Sequence, residues 1–153
     1  MSVSKGVARF LEATAELDLQ VTEMSESTHT AQEAADAVGA PVAAIVKSLV
    51  FLADGEPLLV LVSGPNRVNV EALGERLGVT LSKADAEVVK AATGYSIGGV
   101  PPFGHPTPLR CVMDKDFMVL EQLWAAAGSA RAVFPIAPEK LRELSQASLI
   151  QVT

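Results

Sequence analysis

The 153-residue sequence predicts a mixed α/β fold in which short helices pack on a mixed sheet of about six strands. Three observations predict it. Residues 45–62 read as two apolar strands joined by Asp54-Gly55, which is a hairpin signal. Helix starts and stops recur along the chain as Thr or Pro before and Gly after short periodic stretches. The composition is 49% apolar and 20% charged, with a mean hydropathy of +0.32, which excludes a disordered tail or linker. This length fits a single domain, 1–153, that buries roughly 70% of its unfolded surface without a metal or disulfide.

Val7, Phe10, Leu11 and Leu17 form one stripe of a helix over residues 5–17. Residues 19–24 alternate and read as a short strand. Thr30 and Glu33 make a capping box before an alanine-rich helix that Gly39 stops. Pro41 opens another short helical piece. Ile45–Leu52 and Pro57–Val62 are the hairpin strands, and Ser63-Gly64-Pro65-Asn66 breaks the second. Helices follow at 70–77, with an internal Gly74, and at 84–92, ended by Gly94. Residues 95–108 form a loop rich in glycine and proline, 109–113 a strand, 130–136 a strand and 138–144 a helix. Residues 116–127 mix strand and helix signals and stay unassigned.

The net charge of −6 is uneven. Residues 1–40 carry two basic and seven acidic groups, whereas the remainder carries ten basic and eleven acidic ones. A broad nucleic-acid-binding surface would be basic, so only a narrow contact to a nucleic-acid end is compatible. No apolar run is long enough to span a bilayer, and the N-terminus lacks a secretory signal, so a cytoplasmic location is expected. The lone Cys111 excludes a disulfide framework and reads as a small core residue. There is no Walker-type loop, HExxH, CxxC or GxSxG motif. No metal or cofactor is expected.

Few residues can carry chemistry. Lys47 lies within the apolar strand IVKSLVF, so its ammonium must be paired, snorkel out, or line a wet cleft. It is either a lysine guarding a sheet edge or a cation presented to an anionic or carbonyl ligand. Gly98-Gly99-Val100-Pro101-Pro102-Phe103-Gly104-His105 combines glycines, which let amides approach a ligand, with prolines that stiffen the chain. It is either a rigid connector or a cradle for an oxyanion. His105 is a candidate base or orienting donor, or a solvent-facing loop residue. Arg67 is a candidate phosphate ligand beside Ser63 in VSGPNR, or a solvated surface charge. His29 has no metal partner at useful spacing.

Three blocks in order, STHTAQEAADAVGAPVAAIVKSLVF (27–51), LVSGPNRVNVEAL (61–73) and ATGYSIGGVPPFGHPTPL (92–109), resemble the YbaK/ProX family of freestanding aminoacyl-tRNA deacylases. These are relatives of the editing domain inserted in bacterial prolyl-tRNA synthetases. The resemblance implies a compact sheet of six or seven strands, partly closed like a barrel. It implies hydrolysis of the ester on a mischarged tRNA, typically that for proline carrying a small residue such as alanine or cysteine. Lys47 matches the family's site lysine, Gly98–Pro102 its glycine-proline loop, and His105 a pocket histidine of some members. On this reading Lys47 and the amides of Gly98, Gly99 and Val100 are catalytic. Pro101, Pro102, Gly104, His105, Ser63, Arg67, Thr28 and Thr30 contact substrate. The partners implied are the aminoacylated acceptor end of a tRNA and an aminoacyl-tRNA synthetase. Lys83, Lys90, Arg110, Lys115 and Arg131 are candidates for a basic rim. Two other functions compete: a non-catalytic ligand-binding or synthetase-associated module of the same fold, and a hydrolase of other activated aminoacyl compounds.

Overall fold

A computed structural model of the chain describes residues 4–24 and 30–153. Its helices are α1 (Lys5–Ala13), α2 (Ala31–Val38), α3 (Val70–Leu77), α4 (Ala86–Thr93) and α5 (Pro138–Ser145). Its strands are β1 (Thr22–Glu23), β2 (Val46–Ala53), β3 (Glu56–Ser63), β4 (Leu81–Lys83), β5 (Arg110–Asp114), β6 (Leu123–Ala126), β7 (Ala132–Ile136) and β8 (Ser148–Ile150). They form a five-stranded mixed sheet, β4-β2-β3-β5-β8, and a three-stranded antiparallel sheet, β1-β7-β6. A parallel bridge between Ile45 and Trp124 joins the two, which gives the partial closure expected of the fold.

Local chemistry explains the helix ends. Ser4, Thr30, Asn69 and Asp85 each accept a backbone N–H from the first turn of their helix. Gly39, Gly78 and Gly94 end α2, α3 and α4 in the left-handed region. The β2–β3 hairpin turns through Asp54 (φ 50°) and Gly55 (φ 87°), both left-handed as a tight hairpin requires.

β1 lies within the strand expected at residues 19–24, and the strand count exceeds the expected six or seven because β4 and β8 are only three residues long. Such strands exist through pairing and leave little periodic trace. The ambiguous stretch 116–127 resolves into a 3-10 helix, Lys115–Val119, followed by β6. Residues 15–17, expected to continue the first helix, form a separate 3-10 turn.

The alternation of β2, β3 and β5 sends side chains to two cores. Val46, Val50, Leu59, Leu61 and Met113 pack toward α1, α5 and the small sheet. Phe51, Leu58, Val60, Val62 and Val112 pack with Leu73 of α3. Phe10 pins α1 to the first core, stacking on Phe134 at 5.3 Å and tilting against Phe103 at 5.9 Å. Because Phe10 is fully buried, Phe10→Ala should cost about 3–5 kcal/mol of stability, read from urea unfolding. A loss under about 1 kcal/mol would mean that α1 is not docked as described.

Candidate functional site

A cavity opens where β2 lacks a second neighbour. β4 covers β2 only at Phe51–Ala53, and the Ile45–Trp124 bridge covers the other end. Between them, residues 46–50 border a pocket of about 440 Å³. Its wall is mainly apolar, with Val50, Val89, Val100, Trp124 and Ala125 contributing. The volume lies within the range of small-molecule sites. α2 turns Ala31, Ala34 and Val38 toward the pocket, and these small side chains leave it room.

Lys47 lines this pocket. It is half-buried, and its Nζ donates to the Asn66 carbonyl at 2.5 Å. Burial pushes its pKa down from the usual lysine value, the nearby Arg67 guanidinium adds to that, and Asp114 opposes both. Lys47 and exposed Arg67 therefore form a pair of neighbouring cations. An anion or a polarised oxygen between them would relieve their repulsion.

The glycine-proline loop supplies another part of the wall. Gly98 and Val100 line the same pocket as Lys47. Gly98 has φ 89° with open space around it, a backbone that favours glycine and admits a close ligand. The N–H groups of Gly98 and Val100 donate to no acceptor among the described residues. Gly99, expected to offer a third amide, instead donates to the Ser96 carbonyl at 3.0 Å. A Cβ on Gly99 would lie 2.6 Å from the Ser129 Cα, so this glycine lets the loop touch the segment before β7.

The rest of the loop faces away from the pocket. Pro101 and Pro102 are buried, and the Pro101 carbonyl accepts from His105 Nε2 at 2.7 Å. His105 packs edge-on against Tyr95, whose hydroxyl donates to the Gly104 carbonyl at 3.2 Å. Gly104 itself, with φ 82°, packs on Phe10 and Thr14. Arg9 of α1 donates to the Gly94 carbonyl and stacks over Tyr95. His105 thus braces the loop from behind and is not in the pocket wall. Burial, partly offset by the Pro101 bond, holds its pKa below the usual imidazole value.

Of the other candidates, Thr30 lines the pocket at the start of α2. Ser63 is buried outside it, donating through Oγ to the Ala43 carbonyl at 2.6 Å. Thr28 and His29 lie outside the described residues. Lys83, at the end of β4, is the member of the proposed basic rim that lines the pocket. Cys111 is buried in the core, where burial pushes its thiol up to about 12 and leaves it inert as a nucleophile. Among the described residues, no cluster of His, Cys, Asp or Glu is placed to hold a metal ion.

Sequence reasoning missed Ser48, Trp124, Ile97 and Ser129 in the wall. The buried Ser48 Oγ has no hydrogen-bond partner among the described residues. Trp124, the sole tryptophan, lies in the stretch that periodicity left unassigned. Asn66 and Asp114, which stand behind Lys47, carried no signal of their own.

A family model described as "Aminoacyl-tRNA editing domain" matches residues 25–144. The chain belongs to this family. A solved structure described as a candidate trans-editing enzyme for prolyl-tRNA synthetase superposes on the editing domain with a TM-score of 0.93 at 41% identity, covering 99% of both chains. The structure of hypothetical protein APE2540 gives a TM-score of 0.83 at 29% identity, covering 97% of this chain and 99% of that one. In sequence, the uncharacterized protein YwhH of Bacillus subtilis is 28% identical over 82% of this chain and 80% of that protein. A proline–tRNA ligase of Nitratidesulfovibrio vulgaris is 40% identical over 50% of this chain, a match that spans only 13% of the ligase. The editing domain is therefore related to a segment of these ligases, consistent with the YbaK/ProX resemblance of its motifs. No helix among the described residues is long and apolar enough to cross a membrane.

The bracing role of His105 has a pH signature. Its folded pKa lies below the ordinary 6.5, so the unfolded chain takes up the proton first. The stability it contributes is complete above about 6.5 and drains as pH falls through 6.5 toward the folded pKa. Urea midpoints should decline over that window in the wild type and decline less in His105→Gln. Parallel pH profiles for the two proteins would show that His105 is not held as the structure has it.

Proposed function

We propose that this editing domain works in trans, hydrolysing the ester that joins a small amino acid, such as alanine or cysteine, to the terminal adenosine of tRNA for proline. The observation that carries this reading is the meeting of Lys47 with the free amides of Gly98 and Val100 in one apolar pocket. The kinship with a segment of proline–tRNA ligases supports the choice of tRNA. The whole chain, 1–153, acts as one editing unit in this reading, in the cytoplasm and with a synthetase as a partner that hands over the tRNA.

The chemistry asks little of side chains, because an aminoacyl ester is already activated. A water, the substrate's ribose hydroxyl or, in a cysteinyl substrate, its thiol attacks the ester carbonyl. A bond forms to carbon while the carbonyl π pair moves to oxygen. Collapse of that oxyanion breaks the bond to the ribose oxygen, which leaves with a proton. Water attack releases the free amino acid directly, while an intramolecular adduct passes it to water in a second step. The protein supplies position and charge. The Gly98 and Val100 amides face the developing oxyanion. Lys47, anchored by one proton on Asn66, turns the others toward the ester or the terminal phosphate, with Arg67 beside it. The apolar wall excludes bulk water and limits side-chain size.

Lys47→Ala should lower deacylation of Ala-tRNA for proline by about 10²–10³-fold, the loss typical of removing one group that stabilises the transition-state charge. Release of labelled alanine under single turnover is the measurement. Near-normal release from a folded variant would sink this mechanism. An unchanged ester in the presence of wild-type protein would make the domain a binding module instead.

A further inference from the structure

Asp114 is 1% exposed and has no ion-pair partner among the described residues. A buried carboxylate is costly unless it is bonded and compensated. Its bonds are specific. Oδ2 accepts from the Ser63 N–H at 3.1 Å and from Asn66 Nδ2 at 2.8 Å, and Oδ1 accepts from the Asp116 N–H at 3.0 Å. Asn66 Nδ2 also donates to Asp116 at 2.9 Å. The carboxylate thus grips both ends of the Ser63–Asn66 turn, and the Asn66 carbonyl is the group that takes the Lys47 ammonium.

The sheet register explains how this comes about. Lys47 pairs with Val62 on β3, and Asp114 follows the Leu61–Met113 pair between β3 and β5. Lys47, Val62 and Asp114 therefore lie in one row across three adjacent strands. Strands are spaced about 4.8 Å apart, so the two charged residues stand roughly 10 Å apart through their backbones. The turn after β3 folds over Val62 and fills the gap. Through it, a buried anion faces a partly buried cation.

We propose that Asp114 is a positioning residue for Lys47: through Asn66 it fixes where the ammonium points and keeps it charged in the pocket. The catalytic importance of Lys47 rests on the function proposed above, whereas the coupling of Asp114 to Lys47 does not. The other charged groups around Lys47 are Arg67 on the same turn, Asp116 behind Asn66, and Lys83 in the pocket wall. Arg67 works against the ammonium, and Asp114 is the buried charge that works for it.

Asp114→Asn keeps the shape, removes the charge and sets an amide against the donors of Ser63 and Asn66. The test follows the Lys47 Nζ resonance in ¹⁵N-lysine-labelled protein through a pH titration, assigned with Lys47→Arg. In Asp114→Asn the Lys47 titration should move to lower pH, because the charge that opposes burial and Arg67 is gone. The kcat for deacylation at neutral pH should drop about tenfold or more, with its alkaline limb displaced to lower pH and KM changed less than kcat. Asn66→Ala keeps the carbonyl, loses the tether and provides a second variant should Asp114→Asn fold poorly. It should loosen Lys47 and give a smaller loss in kcat. An unshifted Lys47 titration in either folded variant, or a kcat within about twofold of wild type, overturns the proposal. If Lys47→Ala is fully active while the Asp114→Asn titration still shifts, the coupling stands and the proposed function falls.

Discussion

An ammonium inside an apolar wall has to be met by oxygen, and the contact between Lys47 and the Asn66 carbonyl is where this protein meets that demand. Much of the architecture around the pocket is arranged about it. β2 has β3 on one side but no second neighbour at residues 46–50, so the lysine lines a cavity on that open side. The chain after β3 turns back at once, so that a carbonyl lies over the sheet row that holds the lysine. Asp114 ties that turn to β5. A lysine held this way keeps its charge near the surface of a mostly apolar pocket, where an electrostatic interaction with a ligand is stronger than it would be in water.

The glycine-proline part of the wall offers backbone rather than side chain. Gly98 and Val100 carry amides that no acceptor among the described residues uses, and the loop behind them is fixed by contacts that do not enter the pocket. Tyr95, His105 and Arg9 bond carbonyls at 104, 101 and 94, which pins the loop on both sides of its glycines. Gly99 lies against the backbone before β7, where no side chain could fit. Under the proposed function, donors held rigid before substrate arrives need no reorganisation during reaction. The function proposed for His105 thereby changes from pocket ligand to support for the loop that forms the pocket.

The parts of this design that were legible in the sequence are the local ones. The Asp54-Gly55 turn, the Thr30 cap, the Gly39 stop and the helix at 70–77 depend on residues a few positions apart, and the structure has each of them. Lys47 stood out because a charge in an otherwise apolar strand demands an explanation within the strand itself. Its support did not. Asn66 and Asp114 meet across 48 residues, and Ser63 and Asp114 across 51, so neither pair leaves a periodic or spacing signal. The same holds for β4 and β8, which are strands only because β2 and β5 lie beside them. Composition marked Gly98-Gly99 as one unit, whereas the structure divides it: Gly98 faces open space and Gly99 faces Ser129.

Under the proposed function, acidity and a polyanionic substrate fit together once charge is considered locally. Seven of the acidic groups fall in the first 40 residues, and α2 sends Glu33 and Asp36 outward while its alanines face the pocket. The pocket itself is bordered by Lys47 and Lys83, with Arg67 close to the first. A handful of cations neutralises only a few phosphates, so the electrostatic part of binding is small and the grip on the rest of a nucleic acid is weak. Discrimination then falls to the apolar walls, where one methylene is worth about 1–3 kcal/mol. Under the proposed function, a domain that inspects the end of a nucleic acid and leaves its body to other proteins is better served by that balance than by a broad basic face.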